Sequence, residues 1–484
     1  MTSRIAALLI GVSLVALAQA ALADVEISNK ATANMSCDAG VCTATAKQAV
    51  LNVAELQTML GSGDVAVKTG TVANDISIDQ PLTWASTSRL TLDAQASVTV
   101  NKPVTVIGQG GLTIATNDNG DPKSKSGEFV IVPERGSVQL WDKKSSLVID
   151  GQKYKLVYNI KTLAAAIAAN PSGFYALAKP YDASKDGTYT TAPIVDTFNG
   201  RVDGLGNTIS NLTLHVSQGG AVGLFSVIRT GGAVRHLGIR NGIVSTQNSV
   251  GVGILAGNNE SFVTRCWANG AITNFFATNI GGLMGANTGS LSHSFSNVKL
   301  HNTTLAGRRM GGLVGFNTGT VSASYALGVV SFKNGSENAV GGLVGLNEGA
   351  VSNVFARTRV ADGNKSSGGY FGGLVGANSA GAQIETAYAA GDIHQNKGAD
   401  DLIGGLVGHD GSNPGNISNT YWDLDKGISD PSQGAGNIAN DPGITGLTDV
   451  QLKSGLPAGF DANIWASDPK INNGYPYLRS NPPR

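Results

Sequence analysis

The chain has 484 residues, enough for two or three ordinary domains or for one elongated solenoid, whose core grows in length and not in diameter. Lys plus Arg and Asp plus Glu each number 34, and only 14% of residues are charged. That balance gives no support to nucleic acid or an anionic membrane as a partner held by bulk charge. Glycine, at 65 residues, has about twice its usual share and no collagen period, which fits many tight corners.

At the start, Arg4 precedes the apolar run Ile5 to Ala18, and Ala21-Leu22-Ala23 places small residues where a signal peptidase reads them. Residues 1–23 are therefore expected to be a signal peptide cleaved after Ala23, with Ala18-Gln19-Ala20 as the second choice. The competing reading, a membrane anchor, needs about 20 apolar residues and a charged stop. No later segment is long and apolar enough to span a bilayer, so the mature chain is expected without a transmembrane segment, secreted or held at the cell surface. Export makes the cysteines legible. Cys37 and Cys42 bracket Asp38-Ala39-Gly40-Val41, a loop short enough to close as a disulfide in an oxidising compartment. Without a second pair or nearby histidines they make a poor zinc site, and Cys266 reads as a small buried hydrophobe.

Residues 24–62 read as an N-terminal adaptor, with a short helix that Asn52 caps and Gly61 closes, its apolar positions Val53, Leu56 and Leu60. From 63 to 150 the chain alternates: Val65 to Val67, Ile76 to Ile78, Leu90 to Leu92, Val98 to Val100, Val104 to Val106, Leu112 to Ile114, Val138 to Leu140 and Leu147 to Ile149. Such short runs with polar punctuation are strands. Residues 151–197 read as an inserted segment with a helix from Leu163 to Ala169, closed by Asn170-Pro171, and with Tyr175, Tyr181 and Tyr189 packing on a flank or forming a contact surface.

The region 198–423 is dominated by a refrain, Gly-Gly-Leu-Met/Val-Gly-x-Asn/Asp, beginning at Gly281, Gly311, Gly341, Gly372 and Gly404, with a weaker copy at Gly253. Its leucines, Leu255, Leu283, Leu313, Leu343, Leu374 and Leu406, are 28 to 32 residues apart, a period that means stacked like units. A second column, Trp267, Phe295, Tyr325, Phe355, Tyr388 and Tyr421, is always aromatic. The residues just before it are Cys266, Ser294, Ser324, Val354, Ala387 and Thr420. Like shapes at like positions predict parallel strands stacked about 4.8 Å apart. Glycine this dense excludes a helical repeat. Asn259, Asn287, Asn317, Asn347 and Asn378 predict an amide ladder that ends where Asp410 replaces Asn. Counting a degenerate unit at Gly223-Leu224-Phe225, about seven coils are expected. Residues 424–484 lose the pattern; Thr448 with Gln451 forms a capping box for a short helix, and Phe460, Ile464, Trp465, Tyr475, Tyr477 and Leu478 are expected to cover the open last coil.

The fold class expected is therefore all-β, a right-handed parallel β-helix with short capping helices. Asp75 to Trp84, Leu90 to Ala94 and Asn101 to Val106 resemble the β-helical passenger of filamentous-haemagglutinin-like secreted bacterial proteins, and the Gly-Gly-Leu-Val-Gly units resemble the GLUG motif of such adhesins. Together the resemblances cover most of 63–423. They imply an adhesin-like protein whose ligand is a glycan or a protein on a surface. No series of membrane β-barrel strands is present, so crossing an outer membrane would call for a secretion partner.

An enzyme has to be weighed, because β-helices also serve as polysaccharide lyases and glycosidases; that chemistry needs carboxylates converging within about 5 to 10 Å, or calcium ligands with a base. Glu348, Glu385 and Asp392 stand at different offsets. Asn117, Asp118, Asn119 and Asp121, and Asp423 with Asp425, read as turns and not as EF-hand calcium loops. The six histidines, 215, 236, 293, 301, 394 and 409, form no His-Glu-x-x-His; no nucleophile elbow or phosphate loop occurs. No cofactor is implied. The inter-refrain loops around Lys299 to Arg309, Lys333 to Asn338, Asp362 to Ser367 and Gln395 to Asp401 are tolerated insertions or ligand contacts. Three functions stay open: a non-catalytic adhesin-like protein, a carbohydrate-active enzyme, and a structural spacer of a surface assembly.

Overall fold

The computed structural model describes residues 24–116, 127–195, 197–274, 276–302, 308–332, 338–362, 368–394 and 400–483. The signal-peptide segment and the acidic group at 117–121 lie outside the described residues, as do parts of all four inter-refrain loops.

All eight alternating runs named between 63 and 150 lie in strands, and the strands build three coils. Ile76 pairs in parallel with Val98 and Val98 with Phe129; Leu82 with Val104 and Val104 with Val138; Leu90 with Leu112 and Leu112 with Leu147. Alternation sets which side chains enter the core: Val104 and Val106 are buried and Thr105 is not. Below the first coil, Val25–Ser28 lies between Ile76–Ile78 and Ala49–Asn52. Helix α1 (Val53–Ser62) follows at once, capped by Asn52 Oδ1 accepting from the backbone N–H groups of Ala54 and Glu55. Its Leu56 and Leu60 are fully buried and seal the open end. The Cys37 and Cys42 sulfurs are bonded, joining directly opposed residues of a tight antiparallel hairpin.

The stretch read as an insertion carries strands of the stack itself. Phe174–Leu177 pairs with Arg201–Asp203, Tyr181–Asp182 with Ile209 and Ser210, and Thr188–Tyr189 with Thr213 and Leu214, all in parallel. Helix α2 (Ile160–Ala169) starts earlier than the alanine run suggests, because Asn159 caps it by accepting from Thr162 N–H. Tyr175 is buried and its hydroxyl donates to Ala166 O, 2.8 Å. The Asn207 side-chain amide, also buried, donates to Val138 O and Leu177 O, both at 2.8 Å, fastening the first coils to the array.

From 221 to 410 two seven-stranded parallel sheets run side by side, one through the refrain itself, giving the seven coils expected, which follow the first three and the coil of strands at 174–189. A third sheet carries the aromatic column. The leucine column is fully buried, and each backbone N–H donates to the next carbonyl: Leu255 to Leu283, then Leu313, Leu343, Leu374 and Leu406, at 2.8–3.0 Å. In the full copies the second glycine admits no side chain, since a Cβ at Gly312 would lie 2.2 Å from Gly342 O. The asparagine side chains bond in series, Asn259 to Asn287 at 2.7 Å, through Asn317 and Asn347 at 2.8 Å each, to Asn378 at 2.9 Å, and finally to Asp410 Oδ1 at 3.0 Å. A carboxylate has no N–H to pass on, so the amide-to-amide series stops there.

The rings stack with centroids 4.7–5.7 Å apart from Trp267 to Tyr388 and planes within 6°. They stack outside the tube. The residue two before each ring, from Arg265 through His293, Ala323, Asn353 and Thr386 to Asn419, has a left-handed φ of 45–52° and turns the chain, so the small neighbour points inward and the ring outward. The C-terminal segment corrects the expected cap accordingly. Ile444–Leu447 does pair with the last coil, but Phe460, Trp465, Tyr475 and Leu478 fold back along the rings as a second core. Trp465 Nε1 donates to Asn353 Oδ1 at 3.1 Å and Tyr388 OH to Pro476 O at 2.7 Å. Large rings left in water would be costly; the strap packs on Phe355, Tyr388 and Tyr421, and Arg240 lies over Trp267. Helix α3 (Asp449–Lys453) begins with the Thr448/Gln451 capping box.

Candidate functional site

Carboxylates come together at the end of the asparagine series, where Asp441 lies beside Asp410 and both are buried, and beneath that strap. Asp423 Oδ2 accepts the Tyr475 hydroxyl at 2.7 Å, the same hydroxyl reaches Asp449 Oδ1, and Lys453 holds Asp449 at 2.8 Å. Burial raises the Asp423 pKa; burial also opposes the charge on Asp449, but its bonds to Lys453 and Tyr475 hold its pKa below the ordinary value. Asp425 N–H donates to Asp423 Oδ1 at 3.0 Å and Asp425 Oδ2 accepts Asp449 N–H at 2.9 Å, so this acidic group closes a turn and caps a helix. Glu348 is exposed on one coil, and Glu385 and Asp392 are exposed on the next, one in a strand and one just after it. Among the described residues no group of three or more His, Cys, Asp or Glu could hold a metal. Cys266 is fully buried, and burial pushes its thiol up to about 12, so it packs as a hydrophobe.

A second buried cluster lies where the first coils meet the array. Asp203 receives Arg235 Nε at 2.7 Å, His236 Nδ1 at 3.1 Å and Leu205 N–H at 2.8 Å, and Arg265 forks onto Glu128 at 2.6 and 3.1 Å. Burial opposes ionisation of Asp203, yet His236 and Arg235 keep its pKa below normal. These contacts span up to 137 residues and tie Glu128, just before the third coil, to the array. The groove beside them, about 340 Å³ and lined by Arg201, Arg235 and Phe262, has Arg235 already committed to Asp203 and Arg201 over the Phe174 ring at 5.5 Å.

The groove of about 580 Å³ formed by Trp141, Lys143, Tyr158, Lys179, Pro180, Tyr181, Asp182, Lys185 and Ser210 is differently furnished. Strand Ser137–Leu140 sends Leu140 inward, so Trp141, the next residue, faces out and is 47% exposed; its indole N–H donates to Gln139 Oε1 at 3.2 Å. Leu140 N–H bonds Ala178 O at 2.7 Å, which sets Lys179 beside Trp141 with its ammonium 4.3 Å from the ring centroid. Tyr158 OH donates to Asp142 O at 2.7 Å and steadies the turn that carries Lys143. Tyr181 OH donates to Asp186 at 2.8 Å, and burial pushes its hydroxyl up to about 12. Asp182 Oδ1 accepts Asn211 Nδ2 at 2.9 Å and Ser184 N–H at 3.1 Å, bonds that hold its pKa below normal. Three ammonium groups and an aromatic plane can bind a ligand; with one carboxylate, already bonded, the groove has no acid–base pair.

Of its residues the sequence singled out Tyr181 alone. Trp141 had a legible signal, standing one place beyond the alternating run Val138-Gln139-Leu140 on its water-facing side. Nothing in the spacing brings 141, 179 and 210 together, because the middle coil is lengthened by α2.

No protein-family description matches the chain. A stretch of 95 residues, 20% of the chain, is 37% identical to halomucin of Haloquadratum walsbyi, and the chain spans about 1% of that protein's length. A Bacteroides ovatus crystal structure labelled as a putative immunoglobulin A1 protease superposes with a TM-score of 0.45 at 17% identity, over 68% of this chain and 93% of that one.

Proposed function

We propose that this chain is an exported, non-catalytic β-solenoid of the GLUG and filamentous-haemagglutinin-like kind, an adhesin-like protein that engages a glycan or protein at a cell surface or matrix. One observation carries the reading. The carboxylates that approach one another are taken up by the fold, Asp423 and Asp449 by the chain's own Tyr475 and Lys453 under the strap and Asp410 with Asp441 buried at the end of the asparagine series, whereas the groove of about 580 Å³ offers aromatic and cationic groups. A solenoid suits such work, since each coil carries the surface a few ångströms further on.

The test is retention of the purified protein on a panel of immobilised polysaccharides, matrix proteins and whole cells, with soluble products assayed in parallel. Retention without release of reducing ends or unsaturated sugars is the expected result. Product release abolished by one acidic substitution would replace this reading with a carbohydrate-active enzyme, and retention by no surface would leave a spacer.

A further inference from the structure

We infer that the Trp141 groove is a subsite for an acidic saccharide, a sugar unit bearing a carboxylate or sulfate. This rests on the surface-binding reading above and names the ligand class of one site. Of five tryptophans, Trp84, Trp267, Trp422 and Trp465 are at most 4% exposed, and Trp141 is 47% exposed at a strand end where alternation aims it at water. An indole plane held in water offers a platform to a partner that is apolar on one face, and the C–H face of a pyranose ring is such a surface. Charge sets the rest of the ligand. Lys143, Lys179 and Lys185 line the groove against Asp182, a balance of three positive to one negative, and no carboxylate among the described residues forms an ion pair with any of the three. Two further carboxylates stand beside the groove: Asp142, whose Oδ1 accepts Lys144 N–H at 2.7 Å, and Asp186, which is occupied by the hydroxyls of Tyr181 and Tyr189 and by Lys161.

The whole chain is neutral, so this excess is local and complements an anion held at one place. A nucleic-acid strand fits less well. It needs a basic track with a series of stacking rings, and here one exposed indole stands over three coils, about 10 Å of solenoid. In the bound state the sugar ring stacks on the indole face not covered by Lys179, and the acid group accepts from Lys143 or Lys185. Lys179 holds the indole's orientation by its cation–π contact from the opposite face and adds its charge to the groove.

Titration calorimetry on the full chain with a galacturonate hexamer, its carboxyl-reduced neutral counterpart, a heparin hexasaccharide and a single-stranded oligonucleotide tests this. One or both acidic saccharides should bind at least about tenfold more tightly than the neutral one, and more weakly as salt rises. Trp141→Ala should cost about tenfold and Lys179→Ala somewhat less, at an unchanged unfolding midpoint. Which acidic arm binds separates carboxylate from sulfate. Equal binding of neutral and acidic sugars, no effect of Trp141→Ala, no binding of any saccharide, or tighter binding of the oligonucleotide would overturn the assignment. Retention on the surface panel that Trp141→Ala leaves intact would remove this site and keep the adhesin reading; retention nowhere would remove both.

Discussion

The first three coils and the seven of the refrain array share one backbone plan and hold it differently. In the first, coils agree only where aliphatic side chains fill the tube, as in Leu82, Val104 and Val138, and the polar positions between them, Thr83, Thr105 and Gln139, form no side-chain series. Side-chain contacts between coils there join unlike groups: Asn101 Nδ2 donates to Asp79 Oδ1 at 2.6 Å but Val132 takes the next place in that column, and Arg89 reaches Thr113 and Ser146 on the two following coils. In the array the same kind of position repeats, so rings stack on rings and amides bond amides over five or six coils. Aliphatic filling suffices to make a coil. The ladders add register, because a slipped coil would break every rung at once.

The largest test of that difference is Phe355→Ala. Phe355 is fully buried between Tyr325 at 4.7 Å and Tyr388 at 5.1 Å, with Trp465 of the strap at 6.2 Å. Denaturant unfolding should show a loss of about 3–5 kcal/mol, with Trp465 emission shifting red as the strap loosens. A loss below about 1 kcal/mol would mean that the rings align without supporting anything. Next comes a paired comparison, Asn317→Ala in the array against Thr105→Ala in the first coils. Removing Asn317 cuts two rungs, but Asn287 keeps its bonds to Gly289 O and Thr320 O, so the cost should be about 1–2 kcal/mol. Thr105, half-buried, should move stability by no more than about 0.5 kcal/mol. Equal losses would erase the distinction between the regions.

How much of this the sequence revealed follows the same divide. Where side chains repeat in kind, position after position, their stacking is readable, and the refrain, the rings and the asparagines all declare it. Which way a column points is not readable from repetition. The rings face outward because of the left-handed residue two places earlier, and that column runs Arg265, His293, Ala323, Asn353, Thr386 and Asn419, without a glycine and with only two asparagines to mark it. The strap was seen as apolar material but given the wrong main surface for that reason. The groove was missed because Trp141, Lys179 and Ser210 belong to three successive coils of unequal length, so no period connects them.

The end of the asparagine series should show itself in a pH dependence. Asp441, buried beside Asp410, has its carboxyl pushed up to about 6 by burial and by that neighbouring carboxylate. A pKa raised on folding favours the protonated form, so this stabilisation is complete below the ordinary value near 4 and is lost as pH rises towards 6. His293, held down to about 4 by burial and Arg265, slopes the other way, gaining stability over part of the same window. The clean measurement is therefore a difference. Unfolding midpoints of the parent minus those of Asp441→Asn, taken from pH 4 to pH 7, should decline as pH rises. A flat difference would mean that Asp441 does not change its proton affinity on folding.

The smallest effect should appear at the opposite end and carry the opposite sign. Gly61 lies in α1, in ordinary helical backbone, and a Cβ there would meet nothing within 4 Å. Gly61→Ala should therefore stabilise by about 0.5–1 kcal/mol, since alanine loses less backbone freedom in a helix than glycine does. The same exchange at Gly312 places a Cβ 2.2 Å from a carbonyl oxygen and must destabilise. Glycine in the helix at the base of the first coils is replaceable, whereas in the refrain it is what lets one coil approach the next. If Gly61→Ala proved as harmful as Gly312→Ala, α1 would have to be packed more tightly against the first coil than its open surroundings show, and the end cap would belong with the array in its intolerance of added atoms.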